Sequence, residues 1–173
     1  MKQVEKLLQD FIETIAKQNQ VLERLAALGQ EKQELIIAGK VRELDSLIQK
    51  EGITVSNLDK MEGARFKLQE NLAVQLGFKA EEFSAKKLLA WVREGCPELY
   101  PALEEVINQL DYCLIRLKAI NSHNHELIDQ SLVFIGEIQS LFNGDVAGIY
   151  SDKGLQSDEF ESRPRLNLLD KKI

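Results

Sequence analysis

The sequence predicts an all-α fold: an antiparallel bundle or coiled coil of three long helices, with a short helix in the crossover and a flexible C-terminal tail. Three observations carry this. Apolar residues recur at steps of three and four along three long segments. Glycine and proline fall mostly at the ends of those segments. Aromatics are only 6% of the 173 residues and charged residues 29%, a balance that suits a bundle better than a sandwich or barrel.

The first helix is expected from Lys2 to Ala38. Val4, Leu8, Phe11, Ile15, Leu22, Leu25 and Ile36 share one seam, widened by Leu7, Val21, Leu28 and Leu35. Gln18, Gly29 and Lys32 also fall on it, so its second half reads as looser. Gly39 supplies a left-handed stop. The second helix is expected from Val41 to Leu76, carried by Val41, Leu44, Leu47, Ile48, Val55, Leu58, Leu68 and Leu72, with Gly77 after it. Gly52, Ile53, Thr54 and Val55 are poor helix formers, which suggests a kink or brief break there. So short a turn makes the first two helices antiparallel neighbours.

Ser84 is a good N-cap for a short helix through Leu88, Leu89, Trp91 and Val92, closed by Gly95. Cys96-Pro97 and Tyr100-Pro101 mark the connector, and Pro101 suits the first turn of the last helix. That helix is the longest. From Leu103 to Phe142 its seam steps alternately by four and three through Ile107, Leu110, Leu114, Leu117, Asn121, Asn124, Ile128, Ser131, Ile135 and Ile138. A strict 3.5-residue repeat makes a narrow stripe that wants another helix against it. After Asn143-Gly144 the chain turns polar, so residues 1–143 read as the bundle domain and 144–173 as a flexible tail for partner contacts.

The formal net charge of −6 argues against a general nucleic-acid binder, which needs a basic face to displace phosphate counterions. It argues equally against an anionic membrane surface. Met1 to Lys6 has no apolar signal core, and no window approaches 18 apolar residues, so a cytoplasmic protein without membrane insertion is expected. Cys96 and Cys113 read as reduced thiols, too few for a disulfide framework.

The residues do not point to catalysis. Glu104-Glu105 and Glu81-Glu82 look like solvated helix faces. Neither His123 nor His125 has a Glu three residues before it, as a di-iron bundle site requires. The cysteines lack zinc-ligand spacing, and there is no phosphate loop or nucleophile elbow. No enzyme activity, cofactor or metal is expected. Asn121, Asn124 and Ser131 on the seam admit two readings. Each either pairs inside the bundle and fixes register, or lies on a partly uncovered seam that accepts a partner's amphipathic helix. Trp91 divides the same way, between packing in the crossover and anchoring a partner.

Several segments together resemble the FlgN family of flagellar export chaperones. These are Glu31-Lys32-Gln33-Glu34-Leu35-Ile36-Ile37-Ala38-Gly39-Lys40 followed by Leu44 and Glu51, then Asn121-x-x-Asn124-x-x-Leu127-Ile128, then Ile149-Tyr150-Ser151-Asp152-Lys153-Gly154. In order they cover nearly the whole chain. The family's tail usually reads Tyr-Gly-x-x-Gly, and Ser151 stands here in place of the first glycine. The resemblance implies a non-enzymatic, acidic, cytosolic chaperone. Such a chaperone binds the C-terminal amphipathic helices of hook-associated, or hook–filament junction, proteins, prevents their early assembly, and delivers them to the type III export gate. It implies that Leu117, Asn121, Asn124, Ile128, Ser131, Ile135, Ile138 and Phe142 bind the client, and that Tyr150 and Gly154 dock at the gate. The alternative is a structural coiled-coil scaffold that self-associates through the same seam, and a homodimer fits either reading.

Overall fold

A computed structural model describes residues 2–79 and 82–142, with side chains to residue 140. The tail, including Tyr150 and Gly154, lies outside the described residues, as does the side chain of Phe142. Four helices follow in order: α1 (Lys2–Ile37), α2 (Val41–Gln75), α3 (Ala85–Gly95) and α4 (Tyr100–Phe142). Among the described residues there is no strand. The chain divides into two compact units, Met1–Phe134 and Ile135–Ile173. The second is described only as the last turns of α4.

The helix ends follow the local chemistry. Gly39 takes φ 64° and Gly77 takes φ 73°. In each case the amide after the glycine bonds back five residues, Lys40 to Leu35 at 3.0 Å and Phe78 to Ala73 at 2.9 Å. These bonds satisfy carbonyls that the helix end leaves open. Ser84 caps α3 by accepting the Lys87 amide at 3.3 Å. The break expected near Gly52 does not occur: α2 runs unbroken from Val41 to Gln75. Tertiary contacts on both sides of Gly52 hold it, since Leu47 is buried, Val55 and Leu58 join a core cluster, and Glu51 pairs with Lys32 of α1. Packing of this kind outweighs a weak local propensity.

α1 packs along α2 in opposite order. Gln18 donates to Glu62 at 2.8 Å, and further along α1 Lys32 meets Glu51. α1 and α4 pair in the same order. Asn19 donates to the Val106 carbonyl at 2.9 Å, Gln109 to Glu23 at 2.8 Å, and Asn124 to the Gly29 carbonyl at 2.7 Å. The seam positions expected to loosen α1 are therefore contact points. Gln18 is buried and bonded to α2, its neighbour Asn19 is buried and bonded to α4, and at Gly29 the Ile120 side chain of α4 sits where a Cβ would be.

The densest core lies at the α3 end. Leu8, Phe11 and Ile15 of α1 pack there with Leu72 of α2, Leu88 and Val92 of α3, Cys96, and Leu103 of α4. Trp91 packs against this cluster and lays its ring on Gly95, which favours the crossover reading. A second, smaller cluster joins Leu22, Leu25 and Cys113, flanked by Val55, Leu58, Leu110 and Leu117. Towards the hairpin at Gly39 few side chains are fully buried. Both cysteines are free and buried, and each sits in a different cluster.

Two glycines predict opposite effects. A Cβ at Gly29 would sit 2.7 Å from Cγ2 of Ile120, a branched carbon fixed close to its own backbone. Gly29→Ala should lower unfolding stability by about 1–3 kcal/mol through overpacking, despite better helix propensity. A Cβ at Gly52 meets nothing within 4 Å, so Gly52→Ala should raise stability by about 0.5–1 kcal/mol. Urea unfolding of both variants checks the pair.

Glu62 supplies a pH dependence. Its hydrogen bond from Arg65, with a smaller one from Gln18, holds its carboxyl below the usual carboxylate range. A depressed folded pKa contributes stability above the unfolded value, about 4.3, and loses it as pH falls through the folded value. The difference in Tm between the parent chain and Glu62→Gln should therefore be present at pH 7 and shrink below about pH 4.3.

Candidate partner-binding surface on the last helix

α4 is 43 residues long, about 65 Å at the helical rise. Its environment changes along its length. Leu103 and Cys113 are fully buried, Leu110, Leu117 and Ile120 half-buried, and Leu114 and Ile115 exposed. Leu132, Val133 and Phe134 are then 60%, 63% and 61% exposed.

Where α1 ends explains the trend. Asn124 is bonded to the Gly29 carbonyl, and the two helices run in the same direction. Ile37 lies eight residues beyond Gly29, and Leu132 eight beyond Asn124. Gly29 meets both Ile120 and Asn124, so at equal rise the last residue of α1 is level with Ile128 to Leu132. From there to the end of the first unit α4 has no α1 residue beside it, yet its sequence stays apolar.

The residues expected to bind a client divide accordingly. In the first unit Asn121 and Ser131 are exposed, and Leu117 and Ile128 half-buried. The Ser131 hydroxyl bonds its own helix at the Leu127 carbonyl, 2.8 Å away. Asn124 is only 2% exposed and sits beneath the surface against α1, so of its two readings the register-fixing one describes its contacts. In the second unit Ile135 is exposed and Ile138 half-buried. Sequence reasoning missed Leu132, Val133 and Phe134, which lie off the heptad seam. The signal was the run Leu132-Val133-Phe134-Ile135. Four consecutive apolar residues encircle a helix, whereas a bundle helix needs only one stripe.

Catalytic and metal chemistry find little footing elsewhere. His123 and His125 are both exposed, and His125 lies 3.7 Å from Asp129 on the same helix. Glu104 accepts a bond from the Tyr100 hydroxyl at 2.6 Å, and Glu105 is exposed. Folding brings Glu5, Cys96 and Glu98 together, with ligand atoms within 4.8 Å of one another, a grouping invisible in the sequence because Glu5 comes from α1. Burial, reinforced by Glu98 and Glu5, pushes the Cys96 thiol up. Beside α3 an open cavity of about 420 Å³ is lined by Lys86, Leu89, Ala90, Arg93 and Tyr100, with no paired carboxylates. Among the described residues, no helix is long and apolar enough to cross a membrane.

A family model described as FlgN protein matches residues 1–158. The chain belongs to the FlgN family. No curated protein and no solved structure matches it. FlgN-family proteins are flagellar export chaperones, acting in flagellum biogenesis by binding flagellar proteins rather than by catalysis. In this FlgN-family chain the match spans all four helices and the start of the tail. The end of α4 in the first unit presents exposed apolar residues, Leu132, Val133 and Phe134.

Exposed positions and inward-facing ones should respond differently to substitution. Leu132→Asp and Val133→Asp should each change stability by no more than about 0.5 kcal/mol, because neither side chain is packed. Asn124→Ala should lower it by about 1 kcal/mol or more, because it removes a buried bond between α1 and α4. Thermal unfolding of the three variants tests this assignment of surface and core.

Proposed function

We propose that this chain is a cytoplasmic chaperone whose α4 takes up the C-terminal amphipathic helices of hook-associated, or hook–filament junction, proteins, prevents their premature assembly and delivers them to the export gate. The observation that carries this is the apolar stretch from Leu132 to Phe134, exposed where α1 has ended. Apolar surface of this kind on a charged helical protein marks a partner site, and an amphipathic helix is the partner that a helical stripe accepts. The family supplies the class of partner, a flagellar protein. Its clients' termini are themselves helical and apolar on one side, so the chaperone shields the surface by which they would otherwise assemble.

The proposed client surface comprises Leu117, Asn121, Ile128 and Ser131, then Leu132, Val133 and Phe134, and continues on the same helix through Ile135, Ile138 and Phe142. Asn124 lies beneath it and holds α4 in register, while the exposed Asn121 amide is free to set the register of the bound helix. Tyr150 and Gly154, which resemble the family's tail motif, are the proposed contacts with the export gate. Ser151 beside Tyr150 narrows the backbone freedom that glycine gives there.

The test is co-purification with the C-terminal segment of a hook–filament junction protein. The parent chain should retain the segment. A Leu132→Asp, Ile135→Asp double variant with unchanged helical content should lose it, and undiminished retention by that variant would reject this surface. The scaffold reading makes a different forecast: a stable dimer in the absence of client, and no retention of the segment.

A further inference from the structure

α4 carries two apolar stripes towards its end. The first faces α1. Gln109 donates to Glu23, Arg116 to Gln30, and Ile120 packs on Gly29. Steps of seven from Ile120 continue this line through Leu127 to Phe134. The second carries Leu110 and Leu117, which pack on the cluster of Leu22, Leu25 and Cys113 that Val55 and Leu58 of α2 also flank, and the line continues through Asn121 and Ile128 to Leu132.

Along both stripes exposure rises towards the same end. Ile120 and Leu127 are half-buried and Phe134 is 61% exposed; Leu117 and Ile128 are half-buried and Leu132 is 60% exposed. Residues two apart on a helix point to nearly opposite sides, about 160° apart at 3.6 residues per turn. Leu132 and Phe134 therefore cannot both be covered by one helix, which buries a stripe only about 100° wide. The surface has the pattern of a helix built for two neighbours, at a level where α1 has ended and α2 has not begun.

We propose that the client presents two amphipathic helical segments, which dock on these stripes as end-to-end replacements for α1 and α2. This rests on the reading of α4 as the client surface and adds the number and placement of the helices. Each segment carries apolar residues at heptad spacing. Exposed Glu126 and Asp129 border the stripes, so the rims of the docked segments carry basic residues. A client docked in this way continues the three-helix arrangement past the end of α1, burying the apolar surface of both partners.

The experiment uses the full chain and the full-length client. A benzophenone amino acid is placed at 132 or at 134, and the cross-linked peptides are identified by mass spectrometry. Two different client segments, one from each position, are the expected result. The same client segment from both positions would overturn the proposal, as would capture at either position of residues 143–173 of this chain or of a second copy. Affinity provides a second measurement. Leu132→Ser and Phe134→Ser should each weaken client binding at least about tenfold, the loss of roughly 1.4 kcal/mol. If Leu132→Ser has that effect and Phe134→Ser changes affinity less than twofold, the client reading stands and the two-helix arrangement falls. If the unsubstituted chain binds no client at all, both fall.

Discussion

The fold depends on the close approach of α1 and α4 at Gly29. The missing side chain lets Ile120 settle against the α1 backbone, and the Asn124 amide bonds the Gly29 carbonyl beside it. Nearer the helix starts, Asn19 returns the interaction by bonding the Val106 carbonyl of α4. Each helix thus pins the other's backbone through a buried amide, at two levels. Apolar stripes alone tolerate sliding by a heptad, whereas an amide buried away from its acceptor costs roughly 1–3 kcal/mol. Polar groups set in an apolar seam give up some stability to fix register. Gln18, Asn19 and Asn124 show that cost, since each has a buried oxygen with no partner among the described residues.

Fixed register decides what the far end of α4 can do. With Ile120 and Asn124 on Gly29, α1 reaches no further along α4 than about Leu132. A shift of one heptad towards the N-terminus of α4 would cover the apolar run. A shift the other way would uncover Ile120 and Leu127. The bundle is consequently graded. The α3 end is closed by two clusters of buried side chains, with Leu88 and Val92 of α3 filling the space between the long helices. The hairpin end keeps Leu47 and Asn124 buried and leaves Ile37, Val41 and Ile48 exposed. A rigid platform at one end and uncovered apolar surface at the other is the division of labour that a non-enzymatic chaperone requires, because the surface must stay accessible without the fold collapsing onto it.

The helices and their stops were legible in the sequence because their signals are local. Gly39 and Gly77 take the left-handed conformation that ends a helix, and Ser84 caps α3. The continuity of α2 through Gly52 was not legible, because contacts from α1 override the local weakness. The seam of α4 points to the helix that carries uncovered apolar residues but not to which of its positions are exposed. Periodicity ranks Asn121 and Asn124 alike, yet one is exposed and the other buried, a difference set by the approach of Gly29 from 95 residues away. Likewise Gln18 and Gly29 look like defects in a seam until the helices they meet are in place. Leu132 to Phe134 escaped the heptad count because they lie off the seam, spread over about 200° of the helix.

In the proposed function, α1 and α4 lock one end of the bundle and the far end of α4 takes up a client. Hydrogen exchange of the full chain, alone and with the C-terminal segment of a hook–filament junction protein, tests it most directly. Slow exchange is expected around Leu103 in both states, and fast exchange from Ile128 to Phe134 that slows sharply when the segment is added. Protection that appears instead on α3 or along α2, with the end of α4 unchanged, would contradict it.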